Sequence, residues 1–314
     1  MINYDSKKWS ALFSEISHTF AKSYNLKQLA KFMGIVGVYA TTVTIVCVAY
    51  LEEYLVIDSI FFSLIGVILS LFLVFRLNSA YDRWWEGRKL WGKLINDTRT
   101  LALNLNAHLP EDDKKRRKFF VRNITNFALA LQWHLRDVKK TDDFIFINRR
   151  WLEDVENAVH KPNTINGFMY LEVEHMYKEG LITDFDKDRL MDSLQGLTDV
   201  LGGCERIKKT PIPFSHSSFI KMFAFIYLVI LPFGLVDVFQ YLTIPAVLIM
   251  GFALLGVEVI SEEIENPFGM EANSLPLTAM ADGIRDGAHE ILHVKSSFVK
   301  PPVETGKKKT EIEL

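Results

Sequence analysis

Asp184, Asp186 and Asp188 stand at alternate positions, as the first ligands of a helix-flanked calcium loop do. Such a loop needs Gly at its sixth position for the sharp turn and a bidentate Glu at its twelfth. This chain has Arg189 and Gln195 there, so the acids read instead as the charged start of a helix. His289 and His293 fall on one helix face, but the further ligands of a zinc site do not accompany them. Glu258, Glu262 and Glu265, with His216, form the one polar cluster that a membrane-embedded enzyme could use. No phosphate-binding Gly loop, nucleophile elbow or metalloprotease helix is written in the chain. No catalytic residue, metal ligand or cofactor is assigned, and an enzyme is not expected.

A different physics is open to Val67, Leu71 and Phe75. They recur every four residues in the apolar stretch Ile57–Phe75, which as a helix is ~28 Å long against the ~30 Å core of a bilayer. Two readings fit. In one, this is an ordinary transmembrane helix whose Ser59, Ser63, Gly66 and Ser70 let neighbours approach and whose large residues face lipid. In the other, the three side chains form successive apolar rings around a pore, a constriction that gates ions by dewetting. Four residues turn roughly 400°, so the rings stay aligned only if the helix tilts or curves. Arg76, Tyr81, Asp82, Arg83, Trp84 and Trp85 follow at once, the aromatic and snorkelling cationic anchor of a membrane boundary.

The elements that would hold such a helix follow from the charge pattern of the 314 residues. Neither 32–75 nor 222–284 contains a Lys or Arg, whereas the rest is rich in them, with Lys114 to Lys118 in one basic run. Each bare block is long enough for a helical hairpin. This gives four spans, Phe32–Leu51, Ile57–Phe75, about Ser217–Val236 and Tyr241–Ile260, with both termini and the middle in the cytoplasm. The middle shows helical periodicity through Trp91, Leu94, Ile95, Leu101 and Leu105, is broken at Pro110, and resumes in three further helices without an alternating strand pattern. Trp9, Leu12, Phe13, Ile16 and Phe20 predict an amphipathic helix before the first span, with no signal-peptide core. The Lys- and Pro-rich tail reads as disordered. Cys47 and Cys204 fit neither a disulfide framework nor a metal site, and a formal charge of −2 suggests no nucleic-acid partner.

Three phrases go further: FRLNSAYDRWWEGRKLWG after the second span, GGCERIKKTPIPFSH before the third and IENPFGMEANSLPL after the fourth. Together and in this order they resemble the bestrophin family in its bacterial branch, over roughly Ser10 to Leu292. The resemblance implies a homopentameric ion channel with one axial pore in the bacterial inner membrane. It implies that Val67, Leu71 and Phe75 line the neck. It also implies a cytoplasmic constriction at Phe185, which without the resemblance reads as a buried hydrophobe at a helix start. Eukaryotic members follow the Asn-Pro-Phe-Gly phrase with a dense acidic calcium clasp; here Glu271 is the one acid before Ser274, so calcium activation of that kind is not expected.

The expectation is thus an all-α membrane protein whose partners are its own copies, the bilayer and small monovalent ions. Residues 1–28 form the amphipathic segment, 29–83 the first two spans, 84–216 the cytoplasmic domain, 217–262 the last two spans, 263–294 the Asn-Pro-Phe-Gly segment with its helix, and 295–314 the tail. Acids near both mouths, Glu52, Glu53 and Asp58 outside and Asp184 and Asp186 inside, favour cations narrowly. An anion (chloride) channel of the same architecture is the alternative, and a membrane scaffold or enzyme without a pore remains the rival class.

Overall fold

The computed structural model describes residues 24–50, 59–138, 144 and 149–293. The amphipathic segment before Tyr24, the tail and the acids Glu52, Glu53 and Asp58 lie outside the described residues. Within them the chain is helical throughout, with no strand. The α-helices are α1 (Tyr24–Tyr50), α2 (Ser59–His108), α3 (Lys114–Leu135), α4 (Arg149–Asn157), α5 (Lys161–Lys178), α6 (Asp184–Lys209), α7 (Phe214–Phe239), α8 (Thr243–Glu265) and α9 (Leu277–Ile291). A single 3-10 turn, Gln240–Leu242, joins α7 to α8.

Three stretches are long and apolar enough to cross a membrane: 27–49, 60–108 and 214–265, the last containing both α7 and α8. The second is longer than periodicity implied. Helix α2 runs 50 residues without interruption, about 75 Å at the standard rise. Its isolated Gly and Ser residues are tolerated, and Pro110 provides the first true break.

The described residues fall into two compact units, each assembled from separated segments of chain. In the first, residues up to Leu94 join 130–140 and 198–280. Here α1 packs on α7 and α8, which also pack on each other. The shared core takes Ala40 from α1, Phe62, Leu69 and Leu73 from α2, Ala224, Tyr227 and Leu228 from α7, and Val247 and Leu254 from α8. Close approach is decisive at Gly234: a Cβ there would lie 2.0 Å from the Phe62 ring, so only glycine admits that ring. Pro232, inside α7, has no N–H for the helical ladder. In the turn it loosens, the Tyr39 hydroxyl donates to the Val229 carbonyl at 2.7 Å.

The second unit gathers 95–129, 141–197 and the chain from Ala281. Arg117 is buried and donates to the carbonyls of Leu109, Pro110 and Leu292 and to the Asn106 side chain. It thereby satisfies carbonyls left open where α2 and α9 end. Arg116 is held by Asp113, Glu172 and Glu179, which raise its pKa further although burial works against the charge. Trp151 stacks on Phe168 and meets Phe119 edge-on, fixing α4 to its neighbours.

Candidate functional site

On α2 the buried seam is Phe62, Leu69, Leu73, Arg76 and Ala80, at helical spacing. Val67, Leu71 and Phe75 lie away from it. They are 67%, 53% and 54% exposed in the isolated subunit and share a face with other exposed apolar residues such as Leu64 and Val74. The helix therefore places the three neck candidates together along one side, each more than half uncovered by the described residues of its own subunit. Ser70 returns its hydroxyl to the Val67 carbonyl at 2.8 Å, so its polar group is satisfied locally.

One residue past Phe75 the surroundings change. Arg76 is 1% exposed and lies 2.7 Å from the Glu265 carboxylate and 3.6 Å from that of Glu258. Lys221 of α7 approaches Glu258 at 3.7 Å and Glu262 at 3.3 Å. The acids that stood out as a possible catalytic cluster are thus matched by cations and tie α2, α7 and α8 together; His216 sits exposed at the start of α7, outside this network. One turn or two further, Arg83 donates to the carbonyls of Glu265 (3.1 Å), Ile207 (2.7 Å) and Thr210 (2.5 Å). It closes the carboxyl ends of α6 and α8 onto α2, an arrangement that a guanidinium fork suits and an ammonium does not.

The turn after α8 docks on the same stretch. A Cβ on Gly87 would fall 3.1–3.2 Å from Pro267 and Phe268, so glycine here lets the turn sit against the helix. Phe268 is buried, the Trp84 indole donates to the Asn273 carbonyl at 2.9 Å, and Leu275 N–H donates to the Pro267 carbonyl at 2.8 Å. Glu263 accepts from both the backbone and the side-chain amide of Asn273 at 3.1 Å. A cavity of about 540 Å³ opens beside this turn, with Arg83, Arg136, Lys208, Glu262 and Glu265 among its lining residues.

Phe185 occupies the first turn of α6 and is 81% exposed, not the buried helix-start hydrophobe of the plainer reading. The acids beside it are engaged. The Asp186 carboxylate accepts from Thr183 N–H (3.1 Å) and Thr183 hydroxyl (2.7 Å), while Asp186 N–H returns to that hydroxyl. This reciprocal cap holds its carboxyl below the usual aspartate range. Asp184 hydrogen-bonds the Tyr177 hydroxyl and raises its pKa. Cys47 and Cys204 are both free and buried; burial pushes the Cys204 thiol up to about 12.

Sequence reasoning missed the Arg76 and Arg83 connections because their partners lie far along the chain. A signal existed all the same: the three phrases that carry the resemblance supply Arg76 and Arg83, Ile207 and Thr210, and Glu265 to Phe268, and the fold brings them to one place.

Residues 5–290 match the family described as Bacterial/Fungal Bestrophin protein. A voltage-dependent anion channel-forming protein of Nostoc sp. is 35% identical over 227 residues, covering 70% of this chain and 73% of its own length. One from Escherichia coli K12 is 32% identical over 226 residues, covering 71% and 73%. The crystal structure of a bacterial bestrophin homolog from Klebsiella pneumoniae superposes with a TM-score of 0.78 at 27% identity, covering 84% of this chain and 98% of that one. The names of these relatives speak for anions. The cation preference inferred from Asp184 and Asp186 is therefore not supported, and the physical reason is visible: both acids serve the local structure of the α6 start.

Proposed function

As this chain belongs to the bacterial/fungal bestrophin family, we propose that it is a channel for small monovalent anions, working as a homopentamer of four-span subunits in the bacterial inner membrane. The observation that carries this reading is the apolar face of α2, with Val67, Leu71 and Phe75 exposed in the subunit. Around a five-fold axis that face becomes a sleeve of three apolar rings spaced ~6 Å apart. Such a sleeve holds water poorly, so it blocks ions until it widens or wets. Apolar rings carry no charge, so they do not themselves reject anions. Phe185, exposed at the tip of α6, supplies a cytoplasmic constriction in the same reading. The clustering of Lys and Arg outside the apolar blocks supports a cytoplasmic position for both termini and for residues 84–216 in this reading.

Reconstitution in planar bilayers under asymmetric KCl tests the proposal. The reversal potential should move toward the chloride equilibrium potential. Movement toward that of potassium would overturn the choice of ion. A well-folded oligomer without current would overturn the channel.

A further inference from the structure

None of Val67, Leu71, Phe75 and Phe185 lines the cavity beside the Pro267–Met270 turn, and its polar groups are unevenly compensated. Three acids line it, and each is already matched. Asp137 pairs with Lys208 at 2.6 Å, Glu262 with Lys221, and Glu265 with Arg76 and with the Ile212 N–H at 3.0 Å. Among the described residues, two of its three cations meet no carboxylate within ion-pair distance. Arg83 directs its guanidinium at carbonyls. Among the described residues Arg136 donates through Nε alone, to the Phe268 carbonyl at 3.3 Å, and the two terminal nitrogens of its fork meet no acceptor. Partial burial pushes the Arg136 pKa below its ordinary value. Lys208 donates to the His134 carbonyl and Asp137 and keeps a third N–H in hand.

Apart from the Asn266 amide, the side chains that complete the lining are apolar: Leu135, Ile207, Pro211, Pro267, Phe268 and Met270. A volume of about 540 Å³ lies within the ~300–1,000 Å³ range of small-molecule sites, and an apolar wall with a few fixed polar groups is their usual chemistry. We propose that this cavity binds a phosphate group carried on an apolar body, anchored by the free edge of the Arg136 guanidinium with Lys208 beside it. A planar fork with two free nitrogens fits two phosphate oxygens at once. The same chemistry has two sources, an anionic lipid headgroup or a soluble organic phosphate. The cavity's position at the end of α8 and just before α7, the polar end of two apolar helices, suits either.

Calorimetric titration of the full chain in a neutral detergent tests this with two probes, dodecyl phosphate and inorganic phosphate. Dodecyl phosphate should bind saturably, and Arg136→Gln should weaken it at least about tenfold, the loss expected for one charge-assisted pair. Met270→Trp should also exclude it, by filling the cavity while leaving the Arg136–Phe268 bond in place; this variant decides the matter if Arg136→Gln does not fold. Inorganic phosphate binding with the same dependence on Arg136 assigns a soluble ligand. Binding of dodecyl phosphate alone, with an anionic phospholipid retained in native mass spectra and lost in either variant, assigns the headgroup. No saturable binding of either probe, or equal affinity in parent and variants, would overturn the site. Because binding is read without ion flux, failure here leaves the channel reading intact.

Discussion

Helix α2 changes its means of support at Arg76. Between Ile60 and Phe75 its core contacts within the subunit come mainly from apolar side chains, Phe62, Leu69 and Leu73, and much of its circumference is left bare. From Arg76 to Leu94 it is gripped by polar groups and aromatic rings: Arg76 to two glutamates, Arg83 to three carbonyls, Trp84 to Asn273, with Trp91 and Leu94 fully buried. The first half leaves a broad apolar face uncovered by the described residues, whereas the second is held by polar contacts of its own chain. In the proposed channel this division would let a loosely held neck move on a fixed support.

The largest effect should come from the anchored half. Arg76→Ala removes the cation shared by Glu258 and Glu265 and leaves only Lys221 near Glu258 and the Ile212 N–H on Glu265; breaking a buried pair in this way costs up to about 3–5 kcal/mol. The variant should lose most of its folded yield or unfold far earlier in thermal melts in detergent. Arg76→Lys keeps the charge but not the fork and should fall between. A parent-like melting curve for Arg76→Ala would mean that the pairing does not hold the helix.

Next is the contrast between the two faces of the apolar half. Leu69→Ala cuts into the core and should cost about 2–5 kcal/mol. The combined change Val67→Ala, Leu71→Ala and Phe75→Ala removes more carbon but touches no core residue of the subunit. It should leave assembly near that of the parent in size-exclusion chromatography and melting, while single-channel conductance or open probability rises. If the triple variant instead dissociates and melts like Leu69→Ala, the face packs against protein or lipid and is no pore lining. A stable triple variant with parental currents would also remove the neck.

Much of this was legible in the sequence, for reasons that differ by residue. The helical boundaries at Pro110 and Asp184 and the apolar blocks came from local patterns, and the structure places helix ends within a few residues of them. The continuity of α2 past Trp84 was hidden because the periodicity stays helical while the composition shifts from apolar to charged. Helix α4 was not distinguished within the soluble region, being only 9 residues long. The roles of Glu258 and Glu265 could not be read at all: nothing local pairs them with an arginine that precedes them by well over a hundred residues. Asp186 misled in the opposite direction. Its type suggested an ion-attracting mouth, whereas its spacing from Thr183 was already that of a capping pair.

Asp186 gives a smaller effect that sharpens the comparison at the α6 start. Its carboxyl is held below the usual range when folded, so the cap's contribution is fully present above the ordinary aspartate pKa of about 3.9 and is lost as pH falls through the depressed value. Asp186→Asn should flatten the acid limb of a stability-versus-pH curve below about pH 4 and change little at neutrality. In the same place Phe185→Ala should alter relative permeability across a size series of anions more than it alters opening. An acid limb identical to the parent would show that the cap does not persist in solution, and unchanged selectivity would take Phe185 out of the conduction path.

The smallest expected effect is none. Calcium takes about six to eight oxygen ligands, most of them carboxylates in a tight site. Around the turn after α8 the carboxylates are already engaged. Glu263 holds both amide groups of Asn273. Glu265 holds Arg76 and the Ile212 N–H. Only Glu271 stands between Gly269 and Ser274 without such a partner, and one carboxylate is too few. To gather more, the ion would have to strip Arg76 or Asn273 of its acceptor, which breaks the anchor that supports α2. Open probability in bilayers should therefore be the same with millimolar calcium as with a chelator. A steep dependence at micromolar calcium, abolished by the chelator, would show that this turn rearranges into a binding loop and that the anchored half of α2 is itself the moving part.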